Sequence, residues 1–99
     1  MIACEDFDNC EFRKLDTLSA TLTARGTTHG DFTENGKIMQ QLKLTMRAQP
    51  GWDRLTPAQC EALEMIAHKV GRILCGDPNF RDHWHDIAGY AKLIEDRCK

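Results

Sequence analysis

The sequence has no apolar run approaching the roughly 20 residues that cross a bilayer. It has no Cys-x-x-Cys pair either, and its five cysteines (Cys4, Cys10, Cys60, Cys75, Cys98) are an odd number at scattered spacings. That pattern argues against a secreted disulfide framework and against a thiolate zinc site, and Cys75 and Cys98 read as small core hydrophobes. Neither sign of charge dominates: 13 basic and 15 acidic side chains leave a net charge of -2. A global electrostatic footprint for nucleic acid or anionic lipid is thereby excluded. The acidic start, Met1 to Asp8, has no apolar h-region, so no signal peptide is expected and the protein is predicted to be cytoplasmic.

What is present suits one small folded domain. The 99 residues leave no room for a second domain, and 41% apolar with 28% charged residues is a globular rather than a disordered balance. The expected unit is therefore residues 1–99, with residues 1–8 as a tail. Gly26, Gly30, Pro50-Gly51 and Gly76-Asp77-Pro78 divide it into four segments of helical length, none with sustained alternation. The first, about Asn9 to Arg25, places Phe12, Leu15, Leu18 and Leu22 at three- and four-residue steps. The second, about Asp31 to Ala48, repeats this with Phe32, Met39, Leu42 and Met46, and Asp31 with Glu34 reads as an acidic capping box. The third opens on Thr56-Pro57-Ala58-Gln59, which is an N-cap, a proline at N1 and the reciprocal Gln at N3. Leu63, Ile66, Ala67, Val70, Ile73 and Leu74 form its predicted stripe, with Gly76 as a left-handed stop. The fourth runs from about Asn79 to Arg97, capped by Asp77-Pro78 or Asn79, with Phe80, Trp84, Ile87, Ala88, Ala91 and Ile94 as its stripe. Trp84 is then core, and its truncation to Ala would cost about 3–5 kcal/mol. Tyr90 and Leu93 lie off that stripe, so this helix is apolar on more than one side. Together with Trp52 and the two methionines of the second segment, it predicts a buried subunit interface. The fold class is an all-α four-helix bundle, oligomeric as a homodimer or homotetramer.

Chemistry-bearing residues gather on the last two helices. Glu61, Glu64, His68 and Arg72 share one helical face opposite Leu63 and Val70, with Lys69 at its flank. A solvated face explains that set, as does a functional one. Asp82 and Asp86 stand four residues apart, where two like charges destabilise a helix by a few tenths of a kcal/mol unless something neutralises them. Asp82 gains from the helix N-terminus; Asp86 lies a turn further in. Either Lys69 and Arg72 reach across to this pair, or a divalent cation such as Mg2+ or Mn2+ bridges it. His83 and His85 point about 160° apart on a helix and cannot share a metal. His29, in the turn between the first two helices, is either an exposed loop residue or faces the site with Asp31.

Arg25-Gly-Thr-Thr-His-Gly-Asp-Phe32, the basic pair in Lys69-Val-Gly-Arg72, and Phe80-Arg-Asp-His-Trp-His-Asp-Ile-Ala-Gly-Tyr-Ala91 are similar to a small family of phage and prophage proteins. That likeness covers most of residues 20 to 97, and the family in turn resembles the all-α MazG-like nucleotide pyrophosphohydrolases. The resemblance implies a MazG-like bundle, a nucleotide as ligand, and Mg2+-dependent cleavage of nucleoside triphosphates to monophosphate and pyrophosphate. It assigns Glu61, Glu64, Asp82 and Asp86 to metal, with Glu64 or Asp86 activating the attacking water, and Lys69 and Arg72 to the phosphates. His29, Asp31 and Tyr90 are further candidates. The carry-over is incomplete: Glu61-Ala-Leu-Glu64 supplies two of the motif's three glutamates, and His83 stands where a partner Glu belongs. The alternative is a non-catalytic helical binding module, for a nucleotide or a host protein, that kept the fold and lost the chemistry.

Overall fold

A computed structural model describes the backbone of residues 6–98 and the side chains of residues 17–98. The described chain is four α-helices with no strand: α1 (Asp6–His29), α2 (Phe32–Arg47), α3 (Pro57–Cys75) and α4 (Arg81–Glu95), plus a short 3-10 turn at Pro50–Arg54. The expected tail lies largely outside these residues, and the side chains of Phe12 and Leu15 lie outside them altogether. No helix of the described chain is long and apolar enough to cross a membrane.

The third helix starts where its local chemistry says it must. Thr56 Oγ1 accepts from the Gln59 N–H at 3.1 Å, and Gln59 Oε1 accepts from the Thr56 N–H at 2.9 Å, which satisfies two end donors reciprocally. At α2 only half of the expected box forms. Asp31 accepts from the Glu34 N–H at 3.1 Å, while the Glu34 carboxylate turns to Lys37. Gly26 does not stop α1, which runs on to His29. A glycine inside a helix costs only about 1 kcal/mol relative to alanine, too little to end one that neighbouring residues support. The chain reverses at Gly30 instead, with φ at +84°, a conformation other residues adopt at a cost. Gly76 ends α3 without the left-handed geometry expected of it, at φ -117°. Its need for glycine is steric, because a Cβ there would collide with the Thr28 carbonyl and the Gly30 amide. The N-cap of α4 is Phe80 with no side-chain bond. Asp77, expected to cap it, accepts from the Asn79 N–H at 2.9 Å.

α3 is the central element, packed by α2 on one side and α4 on the other, while α1 meets it more sparingly. Two neighbours, rather than one, set which residues it buries. Ala62, Ala67, Lys69 and Gly71 are buried, whereas Leu63 and Leu74, both in the predicted stripe, are 39% and 66% exposed. Small residues decide the α2 contact: a Cβ on Gly71 would stand 3.1 Å from both Asn35 Oδ1 and Met39 Cγ. Met39, placed in a subunit interface by sequence, is buried within its own chain; Trp52 and Met46 are half-buried.

In α4 the expected phase is corrected by one residue. His83 is the buried residue, 1% exposed, and Trp84 is 53% exposed. The face turned to α3 carries His83, Ile87, Tyr90 and Ile94 at helical steps, while Ala88 is exposed and Ala91, also exposed, stands at the edge of the α3–α4 groove. Trp84 is held at the surface by its indole N–H, which donates to the Pro78 carbonyl at 2.7 Å. Its truncation to Ala is accordingly expected to cost about 1–2 kcal/mol, one hydrogen bond and part of a ring's burial, rather than the loss of a core aromatic. Chemical denaturation of the variant measures the difference. Of the two cysteines read as core, Cys98 is exposed and Cys75 half-buried.

Candidate functional site

The four carboxylates assigned to metal by resemblance do not gather. Glu61, just past the first turn of α3, and Asp82, in the first turn of α4, are both exposed. Glu64 accepts from Arg47 of α2 through Nε at 3.1 Å and Nη2 at 2.7 Å. Asp86 pairs with Lys69 Nζ at 2.9 Å. Among the described residues, no three His, Cys, Asp or Glu side chains come together as a group able to hold a metal ion.

The Lys69–Asp86 pair joins α3 to α4. Lys69 is 10% exposed at its side chain and Asp86 42%, so the cation is the member that depends on its partner. The hydrogen bond from Lys69 holds the Asp86 carboxyl below its ordinary range, and the nearby His85 and Arg72 charges act in the same direction. The pair's contribution is present above the ordinary carboxyl pKa and is lost as pH falls through the lowered one. Asp86→Asn is expected to lower the melting temperature equally in EDTA and in saturating Mg2+. A Mg2+ bridge between Asp82 and Asp86 would instead stabilise the wild type selectively, by mass action.

The polar face of α3 is not simply solvated. Past Glu64 it turns toward α2 and the end of α1, where a cleft of about 650 Å³ opens. Four cationic or potentially cationic groups line it: Arg25 and His29 from the last turns of α1, His68 and Arg72 from α3. Asn35 and Met39 of α2 form its buried floor, and Phe32, 83% exposed, stands at its edge. Of the residues lining it, only Asp31 carries negative charge, and its carboxylate is engaged with the Glu34 N–H. Among the described residues, neither Arg25 nor Arg72 is within ion-pair distance of a carboxylate.

Backbone chemistry fixes this geometry. The Asn35 amide donates from Nδ2 to the carbonyls of His29 (2.7 Å) and Asp31 (2.9 Å), binding the α1–α2 turn to the first turns of α2. The Thr28 carbonyl, left without a partner at a helix end, accepts from the Asp77 N–H at 3.0 Å and from His83 Nε2 at 2.9 Å. A carbonyl only accepts, so His83 carries its proton on Nε2. His83 thus ties α4 to the end of α1 and stacks edge-on against His29, ring centroids 4.8 Å apart. Thr28 Oγ1 shares a 2.6 Å hydrogen bond with His29 Nδ1.

The electrostatics of the cleft follow from its occupants. Burial, then the charges of Arg72, His83, Arg25 and Lys69, push His29 below its ordinary value of 6.5. His68 is lowered by burial first and then by Lys43, Arg72 and Lys69, against a weaker opposing pull from Glu61. Each histidine therefore sits in a positive field that disfavours a further cation and favours an anion.

Of the sequence candidates, His29, Asp31 and Arg72 line this cleft, and His29 is half-buried rather than an exposed loop residue. Lys69 lies between it and α4, and Tyr90 lies elsewhere, in a groove between α3 and α4. Arg25 and His68 were not singled out as ligands. Their signal was two Arg/His pairs at four-residue spacing, Arg25 with His29 and His68 with Arg72, each able to present both side chains on one helical face.

No family model, no curated protein and no solved structure matches this chain.

Proposed function

We propose that the chain is a non-catalytic helical binding module that takes a phosphate-bearing small molecule, a nucleotide, in the cleft between α1, α2 and α3. The observation that carries this reading is the convergence of Arg25, His29, His68 and Arg72 on one cleft where, among the described residues, neither arginine is in an ion pair and Asp31 is the one acidic lining residue. Arginine guanidinium groups match phosphate oxygens in a planar fork, and charge-assisted hydrogen bonds of this kind are about twice as strong as neutral ones. The exposed ring of Phe32 at the cleft edge offers a face for a base.

A Mg2+-dependent pyrophosphohydrolase is less well supported by the same geometry. It needs Glu61, Glu64, Asp82 and Asp86 to share a cation, and Glu64 and Asp86 are each bonded to a basic side chain instead. The reading thus keeps a MazG-like helical scaffold with altered chemistry. Calorimetric titration with nucleoside mono-, di- and triphosphates, run beside a pyrophosphate-release assay with Mg2+, tests it. Saturable binding without turnover is expected. Pyrophosphate release that is lost in Glu64→Gln would overturn it in favour of the hydrolase.

A further inference from the structure

Two apolar surfaces of this chain have no partner among the described residues, and they are of matching kind. The first is a groove of about 320 Å³ between α3 and α4, lined by Leu55, Ala62, Leu63, Ile66, Tyr90 and Ile94. It lies at the N-terminal half of α3, and its lining is almost wholly hydrocarbon. The second is α1, where Leu18 and Leu22, one turn apart, are 54% and 59% exposed.

The geometry of one chain keeps these two surfaces apart. The end of α1 is pinned at the C-terminal end of α3, where the Asp77 N–H donates to the Thr28 carbonyl and Gly30 packs on the Cys75 backbone. The nearest α3 residue of the groove, Ile66, is nine positions before Cys75, about 14 Å along the helix axis. α1 itself is 24 residues long, about 36 Å. The molecule is correspondingly drawn out, 58 × 25 × 24 Å with a radius of gyration of 18.3 Å. A compact chain of this length has about 13 Å.

We propose that α1 of a second copy of this chain lies in the α3–α4 groove, and that the exchange is reciprocal about a twofold axis. The areas fit. The chain exposes 7195 Å², whereas a compact chain of 11.3 kDa exposes about 5,700 Å². The surplus, about 1,500 Å² summed over the whole chain, leaves room for the roughly 800 Å² that each partner contributes to a stable interface. Reciprocity supplies closure: each chain gives one helix and receives one, so the two unmatched surfaces are both used in a dimer and no open end is left to propagate. A third helix laid across α3 and α4 also covers Leu63 and Ala91, the exposed residues of the groove wall. The groove lies outside the basic cleft, whereas Leu22 of α1 lines that cleft and Leu18 does not, so Leu18 is the α1 position that reports on association apart from ligand binding.

Light scattering coupled to size-exclusion chromatography, at tens of micromolar protein, tests it with Leu18→Glu and Leu63→Glu made separately. Both positions are solvent-exposed within one chain, so helical circular dichroism should persist in each variant. The expected result is a wild-type mass of about twice 11.3 kDa, with each variant reduced to the monomer. A monomeric wild type would overturn the proposal. So would a Leu18→Glu protein that stays dimeric while Leu63→Glu dissociates, because the groove would then pair with a surface other than α1.

Discussion

Gly76→Ala should leave the protein largely unfolded, with Gly30→Ala close behind. These two glycines stand where the end of α1 crosses the end of α3, backbone against backbone. A Cβ at position 76 would overlap the Thr28 carbonyl and come within 2.7 Å of the Gly30 nitrogen and the His29 carbonyl carbon. At position 30 it would meet the Cys75 carbonyl group at 2.5 Å, in a residue already at φ +84°. None of these obstacles is the flexible tip of a side chain, so relief requires the helices to part. Separation would break the Asp77–Thr28 and His83–Thr28 hydrogen bonds that set the cleft's third side. At Gly30 left-handed strain of about 1–3 kcal/mol adds to overpacking of similar size, together about 2–6 kcal/mol, while at Gly76 the cost comes from the closer backbone collision alone. Small domains have only about 5–15 kcal/mol of stability in total. Thermal melts followed by circular dichroism report this directly, with Gly36→Ala as the control. No atom outside that glycine's own helical surroundings lies within 4 Å of a Cβ there, and that substitution should be neutral or slightly stabilising.

The second large effect concerns binding. Replacing Arg25 and Arg72 together by alanine should abolish measurable nucleotide binding while leaving the fold intact. Arg25 is exposed and Arg72 half-buried, and neither is in an ion pair with a carboxylate among the described residues, so no buried charge is stranded by their removal. A hydrogen bond to a charged group contributes about 1.5–3 kcal/mol. Each arginine is thus expected to be worth between about tenfold and a hundredfold in Kd, and the pair more than a hundredfold. Lysine at both positions should recover only part of the affinity, since it keeps the charge but not the planar fork. Loss of binding on Lys92→Ala, on the far helix, would point to diffuse electrostatics instead; that residue is paired with Asp96 and should have no effect.

Local signals in the sequence were readable wherever a few neighbouring residues settle the outcome. Thr56, Pro57 and Gln59 define the start of α3 because the bonds concerned lie within four residues. The phase of each helix was harder, since it depends on how many neighbours the helix has. A stripe drawn through Leu63 and Leu74 assumes one buried side. With α2 and α4 on opposite sides of α3, the interior goes to Ala62, Ala67 and Gly71, which let backbones approach, and to Lys69, which reaches Asp86. In α4 hydrophobicity favoured Trp84 over His83, but the Thr28 carbonyl at the end of α1 needed a donor, and the imidazole supplies one. The basic cleft was hidden for a similar reason. Its four basic side chains come in two pairs separated by about forty residues, and the Gly30–Gly76 crossing brings the helices that carry them together.

The central claim is that an anion binds between Arg25, His29, His68 and Arg72, and imidazole resonances measured by NMR during a nucleotide titration test it most directly. In the free protein His29 and His68 are held below 6.5, so the folded state favours their neutral forms and loses stability as pH falls through that value. A bound phosphate reverses the sign of the local field and favours protonation. The expected result is that both histidines take up protons on addition of ATP near neutral pH, with their pKa values rising, while exposed His85 on α4 does not move. Unchanged His29 and His68 signals at saturating ATP, or a response confined to His85, would contradict the account.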